Sequence, residues 1–513
     1  MTVDADAAGP RVTHQGRTSL QARLRELAEI APDRPAITDR SGTITREELD
    51  RRTTRLARRF AALGVTAGSM VSIALPNCIR HLESSIAAWK LGAVPQPLSH
   101  RLPGTEFERL LAVADPALVV GLDPGQGRPW LRGDEDVSTE SDTHLPDIVA
   151  PAWKAPTSGG STGSPKLIVA GQEATAEAVL ARAGALRIAP DGVMLTTAPM
   201  YHNAPNMFSL MALAQGNHVV VMDRFDPEHT LDLIGEYGVT WLYVVPTMMG
   251  RMLRLSDEIR SAADMSSLRT VLHVGAPCPP KVKRGWLEWT GPETVVELYS
   301  GTEAQASCMI DGVEWLSHPG SVGRVTSGVM TIRDDGFREV PAGTVGEVWM
   351  RRADGAPETY RYVGAQARCR GGWESLGDLG HVDRDGYLYL TDRTSDMILV
   401  GGANVYPAEV EAALAEHPAV LTCAVIGLPD DDLGNTVHAI VQVAEPVTEV
   451  DLREHLRGRL VSYKVPRTVE FSDTPLRDDA GKMRRGALRA ARIAARDLSG
   501  AAASSVTAAK SAP

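Results

Sequence analysis

Short apolar runs separated by helix-like stretches and glycines set the tightest limit on how this chain can fold. Val71-Ser-Ile-Ala-Leu75, Ala117–Val120, Val193–Thr197, His218–Met222, Trp241–Val245, Val271–Val274 and Val295–Leu298 each read as a buried strand. Such an alternation of strand, helix and glycine is the signature of parallel sheets covered by helices. Thr45-Arg-Glu-Glu48 has the form of a capping box, opening a helix whose apolar positions run through Leu49, Leu56 and Phe60. Gly64 is its expected stop. A second helix is predicted from Glu83 to Leu91, ending at Gly92.

The rhythm changes twice. Residues 121–156 are rich in Gly, Pro, Asp, Ser and Thr and lack periodicity, so they read as a long connection. From Gly320 onward, Asp334-Asp-Gly336 and Asp383-Arg-Asp-Gly386 punctuate short strands and suggest hairpins of an antiparallel, barrel-like subdomain. After Asp392 a compact α+β unit is expected: strand Met397–Val400, helix Pro407–Glu416, strands Thr422–Gly427 and Val437–Val443, and helix Asp451–Leu460. At 513 residues the chain is too long for one core. The expected division is 1–391, 392–500, and a disordered tail at 501–513 whose one large apolar residue is Val506; residues 1–16 are expected to fray.

Charge and cysteine usage exclude several classes. Lys and Arg number 53 against 64 Asp and Glu, a net charge of −11, which disfavours a general nucleic-acid binder. Cys78, Cys278, Cys308, Cys369 and Cys423 form no CxxC pair and no Cys/His cluster. That argues against structural zinc and a disulfide scaffold, and fits a reducing cytoplasm. No run reaches 18 uninterrupted apolar residues, and Asp4 and Asp6 stand where a signal peptide needs positive charge.

Chemistry is concentrated in Thr157-Ser-Gly-Gly-Ser-Thr-Gly-Ser-Pro-Lys166, which Leu167–Ala170 follows as a short apolar strand. Glycines let backbone amides approach an anion, hydroxyls add donors and the lysine adds a charge, a combination suited to a polyphosphate. Pro165 before Lys166, with no Ser or Thr after it, separates this loop from the P-loop of NTPases. Taken alone, the segment is also compatible, though less so, with a surface loop carrying a solvated lysine.

Further segments follow in order: Tyr299-Ser-Gly-Thr-Glu303, Gly377-Asp-Leu-Gly380, Asp392-Arg393, Asp396-Met-Ile-Leu-Val-Gly-Gly402, Asn404-Val-Tyr-Pro-Ala-Glu409 and Gly481-Lys482. Together with the glycine loop they resemble the adenylate-forming superfamily of acyl-CoA synthetases, luciferases and peptide-synthetase adenylation domains. The resemblance spans roughly residues 15 to 495 and most favours ligases of the fatty-acid, bile-acid and steroid-side-chain type. It implies a large N-terminal α/β domain of two stacked, mostly parallel sheets plus a barrel-like subdomain. A small, mobile α+β lid would be hinged at Asp392.

It also implies roles. Thr157, Ser158, Gly159, Gly160, Ser161, Thr162, Gly163 and Lys166 would hold the β- and γ-phosphates of ATP. Glu303 would bind Mg²⁺, and Thr302 would touch the α-phosphate. Asp378 would accept the ribose hydroxyls, a task that suits a carboxylate, with Arg393 on ribose or phosphate. Gly275, Ala276 and Pro277 would wall the adenine, with Tyr299 and Ser300 opposite. Lys482 would bridge the acid's carboxylate and the α-phosphate during transfer. Gly401 and Gly402 would line the thiol tunnel after lid rotation, and His202 would gate the acyl–thiol junction. The neighbouring Arg484, Arg485, Arg489, Arg492 and Arg496 read as outward-facing helix residues, with help for the phosphates of coenzyme A as the alternative.

By resemblance the acyl pocket draws on residues 201–208, 274–276 and 299–301, with Met207, Phe208 and Trp241 as walls. No acid stands among those segments to hold an α-ammonium, so a bulky hydrophobic carboxylic acid is expected over an amino acid. The expected reaction is formation of acyl-AMP with release of pyrophosphate, then transfer to coenzyme A. The alternative is an adenylating enzyme that serves a carrier protein or a single half-reaction. Neither nucleic acid nor a transmembrane segment is expected, and the chain would act as a monomer or homodimer. Two departures stand out: Ser395 where the family often has lysine, and Leu376 where the motif often has threonine.

Overall fold

The computed structural model describes residues 17–125, 127–159, 165–430, 432–478 and 481–495. The segments expected to fray, at 1–16 and 501–513, lie outside them, as do Gly160, Ser161, Thr162, Gly163 and Arg496.

Every strand predicted between Val71 and Leu298 forms, each within two residues of its expected bounds. They divide into two sheets. The larger has nine strands, in the order Arg324–Ser327, Ser307–Asp311, Val295–Ser300, Thr270–His273, Trp241–Val244, Val193–Thr196, His218–Val221, Pro35–Asp39 and Gly42–Thr45. Its interior pairings are parallel and its edges antiparallel. The smaller sheet, Val94–Pro97, Met70–Ile73, Leu118–Val120 and Trp130–Leu131, is parallel throughout. Helix Ile79–Lys90 joins the layers. Ile79, Leu82, Ile86 and Trp89 belong to the main core, while Ala87 and Ala88 belong to the core of the smaller sheet. The helix is buried although it is not apolar all round: His81, Glu83, Ser84, Ser85 and Lys90 are buried with its apolar residues.

That helix begins four residues before the predicted Glu83, and the reason is tertiary. The Ile79 amide donates to Asp39 Oδ2 at 2.8 Å, so the cap comes from a strand forty positions earlier. Helix Arg46–Ala62, by contrast, carries its own signal. Thr45 caps it and Glu48 closes the capping box.

Residues 121–156 hold one short strand, Trp130–Leu131, and no helix among the described residues. They are more than a connection, however: Ala150, Ala152, Trp153, Lys154 and Ala155 are buried. Thr157–Gly159 and Pro165–Ala170 form a hairpin whose outer partner is Tyr360–Val363, so the strand after the glycine loop belongs to a separate three-stranded sheet. The barrel-like subdomain is a five-stranded antiparallel sheet built from Val329–Arg333, Gly346–Arg351, Trp373–Val382, Cys369–Arg370 and Leu388–Arg393.

Beyond Arg393 the chain builds a hydrophobic cluster from Ile398, Val405, Val410, Leu414, Val425, Val437, Leu452 and Leu456. Strands Val420–Asp430, Gly434–Val443 and Thr468–Phe471 form its sheet, and helices Pro407–Ala415 and Glu449–Arg457 accompany them. Of the arginines expected to face outward, Arg484 and Arg489 are exposed, while Arg485 and Arg492 are half-buried. Arg485 makes a two-pronged contact with Glu411 and reaches Asp396, Arg489 donates to the Gly427 carbonyl, and Arg492 grips Glu470. They tie the helix at 485–495 to the sheet. No helix among the described residues is long and apolar enough to cross a membrane.

Candidate active site

Glu303 sits in the turn between strands Val295–Ser300 and Ser307–Asp311, with Thr302 beside it, and is buried. Lys166, at the start of its strand, places its Nζ 3.7 Å from Glu303 Oε1 and 4.0 Å from the Tyr362 ring centre. Tyr362 donates its hydroxyl to the same Glu303 oxygen. A Cβ on Gly301 would stand 2.8 Å from Glu303 Oε2 and 2.5 Å from Leu376 Cδ1, so a larger residue there would displace both side-chain ends. A buried carboxylate with one oxygen held by tyrosine and lysine fits a hard divalent cation through its remaining lone pairs. Gln305 adds a buried amide oxygen, Oε1, without a partner among the described residues.

At the other end, Asp378 is 7% exposed and occupied on both oxygens. Tyr299 donates to Oδ2 at 2.7 Å, and Arg393 Nε donates to Oδ1 at 2.9 Å. Burial, then the adjacent Asp378, holds the Tyr299 phenol well above its usual range, so it remains a donor. Tyr299 therefore orients Asp378 in addition to offering a ring face. Ser300 is turned inward, its hydroxyl donating to the carbonyls of Gly301 and Ala306. Gly275, Ala276 and Pro277 lie in the loop after strand Thr270–His273, with Gly275 exposed at φ +92°. Arg393 does not form the side-chain ion pair with Asp392 or Asp396 that a purely structural hinge residue would; its carboxylate is Asp378.

Lys482 comes from the C-terminal part of the chain. Asp478 closes its turn, accepting from the Lys482 amide at 2.9 Å on Oδ1 and from the Gly481 amide at 2.8 Å on the carbonyl. Gly481 is buried at φ +73°, and a Cβ on it would approach Thr247 Oγ1 and Val245 Cγ2 to 3.1 Å. The turn thus rests on the end of the large sheet's strand Trp241–Val244. The Lys482 side chain is open to solvent yet walled by protein: desolvation pushes its ammonium below the usual lysine range, Arg393 and Arg484 add to this, and Asp478 and Glu303 oppose it.

His202 faces the same region. Its imidazole is pushed down to about 3, first by burial and then by the charges of Lys482 and Arg484. It is neutral at ordinary pH, with a buried Nε2 unpartnered among the described residues. Phe208 and Trp241, expected as pocket walls, instead pack on each other inside the core with ring centres 5.3 Å apart. Gly401 and Gly402 form an exposed hairpin turn at φ +55° and +86°, distinct from this cluster.

The structure thus brings Lys166, Glu303, Asp378, Arg393, Tyr299, His202 and Lys482 into one electrostatic neighbourhood. Tyr362 and Lys154 were not foreseen. Tyr362 carries no local signal, because its strand pairs with one nearly two hundred positions earlier. Lys154 was hidden inside a segment whose composition reads as loop.

Residues 24–360 match the AMP-binding enzyme family and residues 409–482 match the AMP-binding enzyme C-terminal domain. This chain belongs to that adenylate-forming family. It is 33% identical over 487 residues to a feruloyl-CoA synthase from an Amycolatopsis species, covering 90% of this chain and 96% of the relative. It is 30% identical over 512 residues to the fatty acid–[acyl-carrier-protein] ligase ScoC of Streptomyces coeruleorubidus, covering 93% and 97%. Among solved structures, the o-succinylbenzoate CoA synthetase from Bacillus subtilis, in complex with its acyl-adenylate intermediate, superposes with a TM-score of 0.79 at 25% identity. That match covers 91% of this chain and 97% of the other.

Proposed function

We propose that this enzyme, an AMP-forming acid–thiol ligase using ATP, Mg²⁺ and coenzyme A, activates a bulky hydrophobic carboxylic acid in the cytoplasm. The observation that carries the reading is the location of Lys482. A lysine from the C-terminal unit lies in the electrostatic field of Glu303 on the N-terminal unit and of Arg393 beside the hinge, and its own charge reaches His202. The first half-reaction joins a carboxylate oxygen to the α-phosphorus of ATP as pyrophosphate leaves. Two anions must approach, and negative charge grows on the departing oxygens. Mg²⁺ held by Glu303 would neutralise part of that charge.

The chain's own residues divide the remaining work. Thr157 and Ser158 to Gly163, with Lys166, cradle the terminal phosphates, and Thr302 meets the α-phosphate. Asp378, oriented by Tyr299 and Arg393, receives the ribose, and Gly275 to Pro277 flank the base. Lys482 holds the acid's carboxylate against the α-phosphate. Its lowered basicity suits a group that binds while pyrophosphate departs and then withdraws with the lid. Neutral His202 guards the junction to the thiol. The second half-reaction requires the unit at 392–500 to rotate about Asp392 and bring Gly401 and Gly402 to the tunnel. The chain would work as a monomer or homodimer.

A carrier-protein acceptor is the second reading, supported by the 30% identity to a ligase that loads an acyl carrier protein. A panel of carboxylic acids, assayed for pyrophosphate release with and without coenzyme A and by mass for acyl-CoA, tests both readings. Pyrophosphate release with acyl-CoA appearing supports the first. Release with thioester formed only on an added holo carrier protein supports the second. No release with any acid refutes adenylation.

A further inference from the structure

Three lysines of the described chain are buried, and two of them meet a carboxylate. Lys90 contacts Asp50 at 2.7 Å, and Lys283 contacts Glu297 at 2.5 Å. Lys154, 5% exposed, has no ion pair among the described residues. Its Nζ donates to Asn203 Oδ1, lies 3.5 Å from Met207 Sδ and stands 5.0 Å from the Trp153 ring centre. An amide oxygen and a thioether supply dipoles in place of charge, and burying an amine on such terms is costly. Burial, reinforced by Arg182, holds this amine well below the usual lysine range, while Glu303 pulls the other way.

The surroundings are rigid. The Lys154 carbonyl accepts from Ala170 and the neighbouring Trp153 carbonyl accepts from Trp89 Nε1. Asn203 is the first residue of helix Asn203–Ala214, directly after His202, and Met207 lies one turn further on. With Oδ1 taken by Lys154, the Asn203 amide keeps its two N–H donors. His202 adds its buried, unpartnered Nε2. Among the described residues the Asn203 amide donors and His202 Nε2 are left without a partner, while Lys154 Nζ is met by Asn203 Oδ1 and Met207 Sδ.

We infer that Lys154 and Asn203 form a polar subsite in the acyl pocket for an oxygen substituent, a hydroxyl, oxo or second carboxylate, carried by the acid near its carboxyl group. The inference rests on reading residues 201–208 as part of that pocket, and it narrows the substrate from a hydrophobic acid to an oxygenated one. Asn203 donates, a protonated Lys154 keeps one N–H beyond those given to Asn203 and Met207, and an acid with only alkyl substituents there would leave these donors unanswered.

Matched acids test the subsite: a 3-hydroxy, a 3-oxo and a dicarboxylic acid, each against its deoxy parent, assayed by pyrophosphate release. In the wild type, kcat/KM for at least one oxygenated acid is expected to exceed that for its parent by about tenfold or more. Which of the three does so identifies the group. Lys154→Met retains the length of the side chain and should bring the ratio to about one. Asn203→Asp gives Lys154 an internal carboxylate and should do the same, with a melting temperature at or above that of the wild type. It decides the matter if Lys154→Met does not fold. A wild-type ratio near one with good turnover of the parent acids overturns the subsite and leaves the ligase reading intact. Equal losses on both acids in Lys154→Met, with the wild-type ratio kept in Asn203→Asp, also overturn it and make Lys154 a structural peg. No release from any acid removes the ligase reading and the subsite together.

Discussion

Asp378 and Arg393 face each other across neighbouring antiparallel strands, and Arg393 Nε donates to Asp378 Oδ1 at 2.9 Å. Arg393 ends the last strand of the barrel-like sheet, at the point where the chain passes into the C-terminal unit. The pair therefore couples the carboxylate proposed to receive the ribose to the proposed pivot of the lid. Asp378→Asn keeps the shape and removes the charge. It should raise KM for ATP roughly tenfold while leaving KM for the acid near its wild-type value, in line with losing one charge-assisted hydrogen bond. Steady-state kinetics with each substrate varied in turn provides the check, and an unchanged KM for ATP refutes the ribose assignment.

Lys482→Ala should lower acyl-AMP formation by about 10²-fold or more, the scale of losing one well-placed electrostatic group. The motive is its position in a closed turn that rests on Val245 and Thr247. Thioester formation from preformed acyl-AMP should fall much less. Near-normal pyrophosphate release in the variant would remove Lys482 from the mechanism.

The tunnel assignment is best probed at Ala403. Gly402 has open space for a side chain, yet its φ of +86° strains any L-residue other than the most tolerant, so Gly402→Leu would mix blockage with backbone strain. Ala403 has no such constraint among the positive-φ residues. Ala403→Leu should spare the first half-reaction and slow transfer to coenzyme A by about tenfold or more, as expected for a filled channel. A burst of acyl-AMP without thioester is the pattern to look for. Equal rates of both steps in variant and wild type speak against a tunnel at this turn.

Acid should destabilise the fold through imidazoles that are buried neutral. His81 is pushed down to about 4, chiefly by burial; Asn206 donates to its Nε2 at 3.1 Å, which requires that nitrogen to be unprotonated. His202 is pushed down to about 3. Their folded values lie below the unfolded value near 6.5, so the unfolded chain binds more protons between about pH 6.5 and 4 and stability falls as pH falls through that window. For His81 the loss is on the order of 3 kcal/mol by pH 4. Thermal melts from pH 7.5 to 4.5 should show a steady decline that His81→Gln makes shallower. An identical slope in the variant refutes the contribution of His81.

Legibility in the sequence followed the range of the interactions. Helix Arg46–Ala62 was readable because Thr45 and Glu48 carry its start locally, while the start of Ile79–Lys90 was not, because Asp39 provides it. Parallel sheets followed from apolar runs buried on both faces, which look alike wherever they pair, so their division into two came only with the family resemblance. Motif residues such as Glu303 and Asp378 could be named in advance, but their partners Tyr362 and Tyr299 emerge from pairings that link distant strands. Composition misled most at Lys154: polar, proline-rich sequence predicts an exposed loop, and there the chain passes through the core.

The clasp that Asp478 makes on the Lys482 turn bears on the economy of each catalytic cycle. A long lysine side chain on a loose loop would have to be gathered into place every time substrates arrive, at an entropy cost of about 1–2 kcal/mol for each backbone residue ordered. Here the Gly481 and Lys482 amides are already bound to Asp478, and Arg477 holds the Gly481 carbonyl at 3.1 Å. For Gly481 and Lys482 that ordering is already supplied by these hydrogen bonds. In the proposed reaction cycle, what is left is to carry these two preset residues in and out of the site as the lid turns.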